Sequence, residues 1–269
     1  MGVLVAFSGK GGSGKTTLAA MVLRQLVRAG VKPILAVDAD PNSTLGLTLG
    51  VPVEGTISDL RDRMGQAAKA VSEIPKERLM NQWLAQVLTE ASGFDLLTMG
   101  RPEGPQCYCY VNGLLRRYLK ELRGAYPAVV VDCEAGMEYL SRLTVDDVDV
   151  LVLVAEATSV GLTTARRLAT LANALPIRVR RRVLVLNKVG QAGLSDELPE
   201  DLAVAGVGDV VRVPFDEDLH RRCTQGVPLD DQAGPAAQAA VAALARLCLP
   251  QIGTGAFAKN AENAKNVKK

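Results

Sequence analysis

At 269 residues and 48% hydrophobic content, the chain is long enough for one large domain with a well-buried core, and its composition excludes wholesale disorder. The formal net charge of +2 argues against broad, non-specific binding to nucleic acid. No apolar run approaches the roughly 20 residues that a bilayer-spanning helix needs.

The opening MGVLVAFSGK has no basic leader and no cleavage site, so it is expected to be a first buried strand and not a signal peptide. It also lacks the hydroxyl residue at position 6 that myristoylation requires. Further short runs follow in order: ILAVD (34–38), FDLLTM (94–99), AVVVD (128–132), VLVLVAE (150–156), RVLVLN (182–187) and DVVRVP (209–214). They are continuously apolar instead of alternating, the pattern of strands buried on both faces. Between them lie helical stretches such as residues 17–29. There Leu18, Met21, Val22 and Leu26 form a stripe, Arg24 and Arg28 lie opposite, and Gly30 ends the helix. The expected fold is α/β, with a mostly parallel central β-sheet flanked by helices. Residues 1–250 make the domain and residues 251–269, GTGAFAKNAENAKNVKK from Gly253 on, a loose basic tail. Ligands of such sheets bind beyond the carboxyl ends of the strands, so the polar residues there are the ones to inspect.

After the first strand comes SGKGGSGKTT, residues 8–17. Gly9, Gly14, Lys15 and Thr16 satisfy G-x-x-x-x-G-K-[ST] in the strand–loop–helix context that this phosphate-binding motif demands. Glycines, here with Gly11 and Gly12, let backbone N–H groups converge where a Cβ would obstruct them. Ser13 completes the loop, and Thr17 opens the helix whose positive end favours anions. Lys15 is expected to reach the β- and γ-phosphates of ATP, and Thr16 to offer its hydroxyl to Mg²⁺. The longer string KGGSGKTT resembles the signature of the deviant Walker-A (SIMIBI) P-loop NTPases, a group that includes the nitrogenase iron protein and the division-site and partition ATPases. The resemblance implies that Lys10 crosses a dimer interface and acts in trans on charge developing in the transition state.

The second strand ends in VDADPNST. Asp38 and Asp40 would share a face of extended chain. The segment resembles switch I of the same group, which implies that Asp40 orients the attacking water and Asp38 supports it; an Asp-Pro-Asn turn is equally expected as local structure. VVVDCEAGM ends a buried strand in Asp132, which fits a carboxylate holding Mg²⁺ through water, and Glu134 opens the expected switch II. LNKVG places Asn187 and Lys188 after a strand, but Gly190 lacks the carboxylate that a guanine-reading N-K-x-D requires, so ATP is favoured over GTP. By resemblance, Asn187 and the segment with Pro214, Phe215 and Asp216 frame adenine.

The remaining motif is GRPEGPQCYCYVNG, with Cys107 and Cys109 one residue apart among glycines and prolines. Five cysteines without an export signal point to a reducing cytoplasm, where close cysteine pairs serve metals or catalysis more often than disulfides. In extended chain Cys107 and Cys109 would face the same way, beside a helix beginning near Val111 whose N-terminus favours thiolate. One chain supplies two sulfur ligands, and a two-fold axis would make four, enough for zinc or nickel bridged between subunits of a homodimer. Cys133, Cys223 and Cys248 are expected to pack in the interior, and His220 to be a surface or structural residue.

Together with KGGSGKTT and VDCEAGMEYLSR, the segment GRPEGPQCYCYVNGLLR resembles the carbon monoxide dehydrogenase maturation ATPase family (CooC-type) over residues 1 to about 250. Gly113 departs from it where a second asparagine would follow Asn112. The resemblance implies an ATPase that supports nickel insertion into the active-site cluster of carbon monoxide dehydrogenase, its client, without nucleic-acid or membrane partners. Two alternatives are weighed. One is a partition- or division-type ATPase acting on DNA or membrane, supported by RVRRR (178–182), although that run reads better as a solvated edge. The other is an iron–sulfur carrier or reductase, which would call for a cysteine after Glu134 that AGMEYLSR lacks.

Overall fold

A computed structural model describes residues 2–60, 83–101, 107–136, 147–190, 200–229 and 233–250, with residues 107–110 and 201 described by their backbone alone. The tail 251–269, the segment 102–106 and the continuation of switch II over 137–146 lie outside the described residues.

Among the described residues eight strands form one sheet, seven of them on the apolar runs. They are β1 (Val3–Gly9), β2 (Ile34–Ala39), β3 (Leu88–Ala91), β4 (Phe94–Thr98), β5 (Ala128–Cys133), β6 (Asp147–Glu156), β7 (Arg178–Val189) and β8 (Asp209–Pro214). Their spatial order is β3-β4-β2-β5-β1-β6-β7-β8. All neighbours are parallel except β3 and β4. Strand β3 was not anticipated from the sequence, because LTEA is short and half polar. It is held by a two-residue turn in which Gly93 takes φ +89°, a conformation glycine adopts without strain.

The helices cover both faces. On one side lie α1 (Lys15–Arg28), α2 (Leu45–Leu49) and, later in the chain, α7 (Pro235–Cys248). Leu18, Val22 and Leu26 of α1 pack with Val241 and Leu244 of α7 against Val5, Phe7, Ala36 and Val130. As expected, α1 ends at Gly30 (φ +88°), whose N–H bonds the Val27 carbonyl while Val31 N–H bonds that of Leu26. On the other side, α3 (Cys107–Leu122), α4 (Ser159–Ala174) and α5 (Glu200–Val204) cover Leu4, Ala6, Val129 and Leu151. Helix α6 (Glu217–Gln225) buries none of its residues.

Helix α3 starts at Cys107, earlier than expected. The extended backbone on which a shared direction for Cys107 and Cys109 was argued is therefore replaced by a first helical turn, in which residues two apart are rotated by about 200°. Val111, Leu114, Leu115, Tyr118 and Leu119 are all buried, and the turn before Val111 prolongs that packed helix at little further cost once it is nucleated. The side chains of Cys107 and Cys109 lie outside the described residues.

RVRRR is largely the solvated edge expected, with Arg178 and Arg180 exposed, but the strand begins earlier than expected and includes it. It is the first half of β7 and pairs with β6, with Asp147 opposite Arg178. Arg178 meets Asp147 at 3.5 Å, Arg180 meets Asp149 at 3.3 Å and Arg181 meets Asp209 at 2.8 Å. Charges that interrupt the apolar pattern in sequence thus lengthen two strands by pairing across them.

Candidate functional site

Strands β1, β2 and β5 are adjacent, and their carboxyl ends bring three of the expected segments together. Asp38 and Asp132 stand opposite each other in register, and Phe7, just before the phosphate loop, pairs with Asp132. The loop runs from Gly9 to Gly14 and feeds directly into α1. Gly14 caps the helix in the left-handed conformation at φ 96°, offers no side chain to the free N–H groups, and no acidic residue occupies the first turn. That leaves the positive end of α1 open to an anion. A Cβ on Gly14 would lie 2.2 Å from the Asn187 amide nitrogen, and one on Gly9 would lie 2.2 Å from the Val154 carbonyl. Both positions require glycine because neighbouring groups crowd the loop.

Lys15 is 6% exposed, and its Nζ donates to the Lys10 carbonyl at 3.3 Å, with Ser13 N–H on the same oxygen at 3.3 Å. Lys10 is exposed, as are Gly11 and Gly12, while Thr16 and Thr17 are half-buried. Thr16 Oγ1 donates to Asp132 Oδ2 at 2.6 Å. The other oxygen, Asp132 Oδ1, is buried without a hydrogen-bond partner. An orphaned carboxylate oxygen beside a hydroxyl at the mouth of a phosphate loop is an all-oxygen donor set of the kind Mg²⁺ takes, so these residues fit that ion.

Burial raises the Asp38 carboxyl to about 7, with the neighbouring charge of Asp132 adding to the effect and N–H groups of Leu45 and Asp40 opposing it. Those donors lie 2.8 and 3.2 Å from its oxygens. Burial likewise raises Asp132 to about 6, against the pull of Thr16 and the charge of Lys15. Asp40 is half-buried, and its Oδ1 accepts from both Asn42 nitrogens at 2.9 Å, so the expected Asp-Pro-Asn turn is present. Glu134 is half-buried, and Gly136 N–H donates to the Gly9 carbonyl at 3.3 Å, which ties the start of the expected switch II to the phosphate loop.

Asn187 lies within the same constellation. Its amide is 8% exposed and donates to the Ser13 carbonyl at 2.8 Å. Pro214 ends β8, and Phe215 follows, 47% exposed, with its ring 5.5 Å from that of His220. Asp216 uses its side chain to build this segment: Oδ1 caps α6 at Leu219 N–H and Oδ2 accepts from Gly234 N–H.

Cys133 and Cys248 are buried as expected, and burial pushes both thiols up, Cys248 to about 12. Cys223 is not a packing residue. It is exposed on α6, and its Sγ lies 3.8 Å from Thr17 Oγ1, because α6 rests on the mouth of the site and not on the core. Sequence reasoning also passed over Glu156 and gave Lys188 no role after rejecting the guanine motif. Lys188 Nζ lies 2.8 Å from both the Gly12 carbonyl and Glu156 Oε1. The signal available was position, since each falls at the carboxyl end of a strand. Among the described residues no group of three or more His, Cys, Asp or Glu side chains could hold a metal ion.

A parallel sheet whose first strand leads through a glycine-rich loop into a helix, with a buried aspartate at the end of the adjacent strand, defines a P-loop nucleotide-binding protein. Residues 4–229 match the CobQ/CobB/MinD/ParA nucleotide binding domain, and the chain belongs to that family of P-loop ATPases. An uncharacterised ATP-binding protein of Methanocaldococcus jannaschii is 38% identical over 233 residues, 84% of this chain and 90% of the relative. The carbon monoxide dehydrogenase accessory protein CooC of Rhodospirillum rubrum is 30% identical over 223 residues, 74% of this chain and 84% of that protein. Among solved structures, the septum site-determining protein MinD of Pyrococcus horikoshii, complexed with Mg-ADP, superposes with a TM-score of 0.60 at 24% identity, over 100% of this chain and 98% of that one. At that identity the likeness shows the fold.

Proposed function

We propose that this ATPase is a maturation factor that supports nickel insertion into the active-site cluster of carbon monoxide dehydrogenase. The observation that carries the reading is the 30% identity with the accessory protein CooC, in a chain that also places Cys107 and Cys109 in the first turn of α3. In this reading two chains form a homodimer, and each contributes Cys107 and Cys109 to one bridged zinc or nickel ion. The metal is cargo, held while ATP is bound and released to the client.

The nucleotide part rests on the geometry of the loop. Residues Gly9 to Thr17 are proposed to receive the phosphates, with Lys15 as their principal cation. Thr16 and Asp132 would hold Mg²⁺, which supplies charge neutralisation between the phosphates. Asp40 orients the attacking water and Asp38 supports it, Glu134 belongs to the switch that senses the γ-phosphate, and Asn187, Pro214, Phe215 and Asp216 frame adenine. Lys10, exposed at the rim, extends to the partner's nucleotide. Loss of the γ-phosphate on hydrolysis relaxes the switch segments and opens the dimer. Three of the four arginines that favoured a DNA- or membrane-bound role, Arg178, Arg180 and Arg181, are engaged by Asp147, Asp149 and Asp209, which weakens that alternative.

The test combines metal analysis with light scattering, with and without ATP. Wild-type chain is expected to bind one ion per two chains, and Cys107→Ala to lose that ion while keeping ATP affinity. If Cys107→Ala retained full metal affinity at the same stoichiometry, the bridged site would be wrong. Lys10→Ala should bind ATP normally and hydrolyse it slowly; an unchanged turnover rate would remove its role in trans.

A further inference from the structure

Two consecutive residues at the end of β7 donate to two consecutive carbonyls of the phosphate loop. Asn187 Nδ2 takes the Ser13 carbonyl and Lys188 Nζ the Gly12 carbonyl, each at 2.8 Å. In a planar trans peptide the C=O and the following N–H point in opposite directions. Holding the Gly12 oxygen outward therefore turns the Ser13 N–H to the inner side of the loop, where it meets the Lys10 carbonyl at 3.3 Å beside the Lys15 ammonium, and holding the Ser13 oxygen outward turns the Gly14 N–H the same way. Without those two anchors the glycines of the loop are free to rotate their peptides, and a phosphate would have to order them on arrival.

Lys188 is held in place at some conformational cost. Its φ is +56°, an uncommon conformation for a residue with a long side chain, and it sits where the β7–β8 ladder shifts register between Leu186 and Val189. That kink brings its ammonium back over the loop. Glu156, at the end of β6 and paired in register with Asn187, receives the ammonium at 2.8 Å. The ion pair by itself is about half exposed, at 41% and 45%, and a pair of that kind contributes little to stability. What distinguishes it is the third partner, the Gly12 carbonyl. Because Gly190 supplies no carboxylate, Lys188 is also not part of a guanine-reading N-K-x-D set.

We infer that Lys188, braced by Glu156, is a positioning residue for phosphate binding: it fixes the Gly12 carbonyl outward and so aims the loop amides at the nucleotide's phosphates. This holds whatever metal or client the protein serves, because a phosphate chain needs neither. The test uses the full chain and displacement of a fluorescent ATP analogue by ATP and, separately, by inorganic tripolyphosphate, which has no base or ribose. Lys188→Ala should weaken ATP and tripolyphosphate by the same factor, about tenfold, the loss expected for one charge-assisted hydrogen bond. Glu156→Gln should weaken both in parallel by a smaller factor, and Lys188→Arg, which keeps the charge and the donors, should recover most of the affinity. Thermal melting confirms that each variant is folded, and Glu156→Gln carries the test should Lys188→Ala not fold. The inference is overturned if tripolyphosphate binds the variants as well as it binds the parent while ATP is weakened, which would make Lys188 a base or ribose contact. It is equally overturned if neither ligand responds.

Discussion

The two ends of the sheet both carry carboxylates, part-buried at one and fully buried at the other, and treat them in opposite ways. Where the strands begin, Asp149 accepts from Arg123 and from Leu4 N–H, and Arg180 lies 3.3 Å from its other oxygen. Arg123 is itself 5% exposed and also donates to the carbonyls of Gly2 and Asp147, so this end is a closed network that pins the first strand to the sixth. Where the strands finish, Asp38 and Asp132 lie side by side at 0% exposure, and neither makes an ion pair among the described residues. The first arrangement satisfies its charges and stabilises; the second keeps charge in reserve for a cation that arrives with its ligand. The same residue type thus reads as structure or as site according to what stands opposite it.

The largest effect that would sharpen this contrast is at the open end. Lys15→Ala should cost at least about a hundredfold in ATP affinity, since the variant removes the loop's buried ammonium from the phosphates. Equilibrium titration with a fluorescent analogue measures it, and a loss under tenfold would show that the open end does not depend on this charge.

At the closed end, Arg123→Ala leaves Asp149 part-buried and short of a partner, a loss of about 3–5 kcal/mol. In a domain of this size each kcal/mol lowers the melting temperature by about 2–4 °C. ATP affinity of the folded variant should stay within about twofold of the parent, because nothing at that end touches the loop. A variant that kept its melting temperature, or lost ATP binding while folded, would break the division between the two ends.

A smaller effect separates the ends by pH. Asp38 and Asp132 hold protons more tightly folded, up to about 7 and about 6, than unfolded, near ~3.9. Their contribution is fully present below the unfolded value and is lost as pH rises through the folded ones. Without nucleotide and Mg²⁺, Asp38→Asn should therefore gain melting temperature relative to the parent as pH goes from 5 to 8, and the difference should stop changing with pH below about 4. A difference that shrinks over the same rise would reverse the sign of the argument. The smallest effect is at the exposed rim of the closed end, where Arg178 and Asp147 are 74% and 40% exposed and 3.5 Å apart. Arg178→Ala should shift stability by no more than about 0.5 kcal/mol, read by denaturant unfolding.

Much of this was legible in the sequence because the relevant forces are local. Short continuous apolar runs at regular spacing with helical stretches between them are the pattern of strands covered on both faces, so seven of the strands and helix α1 follow from pattern. The phosphate loop follows because its chemistry demands glycines, a lysine and a hydroxyl at fixed spacing, and Asp38, Asp132 and Asn187 follow because polar residues at strand ends face the ligand edge. Strand β3 escaped because it depends on pairing with β4 and not on its own composition. The start of α3 was misplaced because helix ends are set by packing as much as by propensity. Cys223 was misjudged because an amphipathic helix in sequence does not say whether it lies on the core or on the rim.

The sequence by itself determined the parallel α/β sheet, the phosphate loop and the adjacent cysteines of α3, since each is written within a span of a few residues whose spacing carries its meaning. Only the tertiary structure decided that Asp38 and Asp132 lie side by side, that Arg178, Arg180 and Arg181 meet aspartates, and that Lys188 joins Glu156 to the Gly12 carbonyl. Those contacts join residues dozens to more than a hundred positions apart, and their energies depend on burial and on which groups meet across strands, which no local pattern encodes.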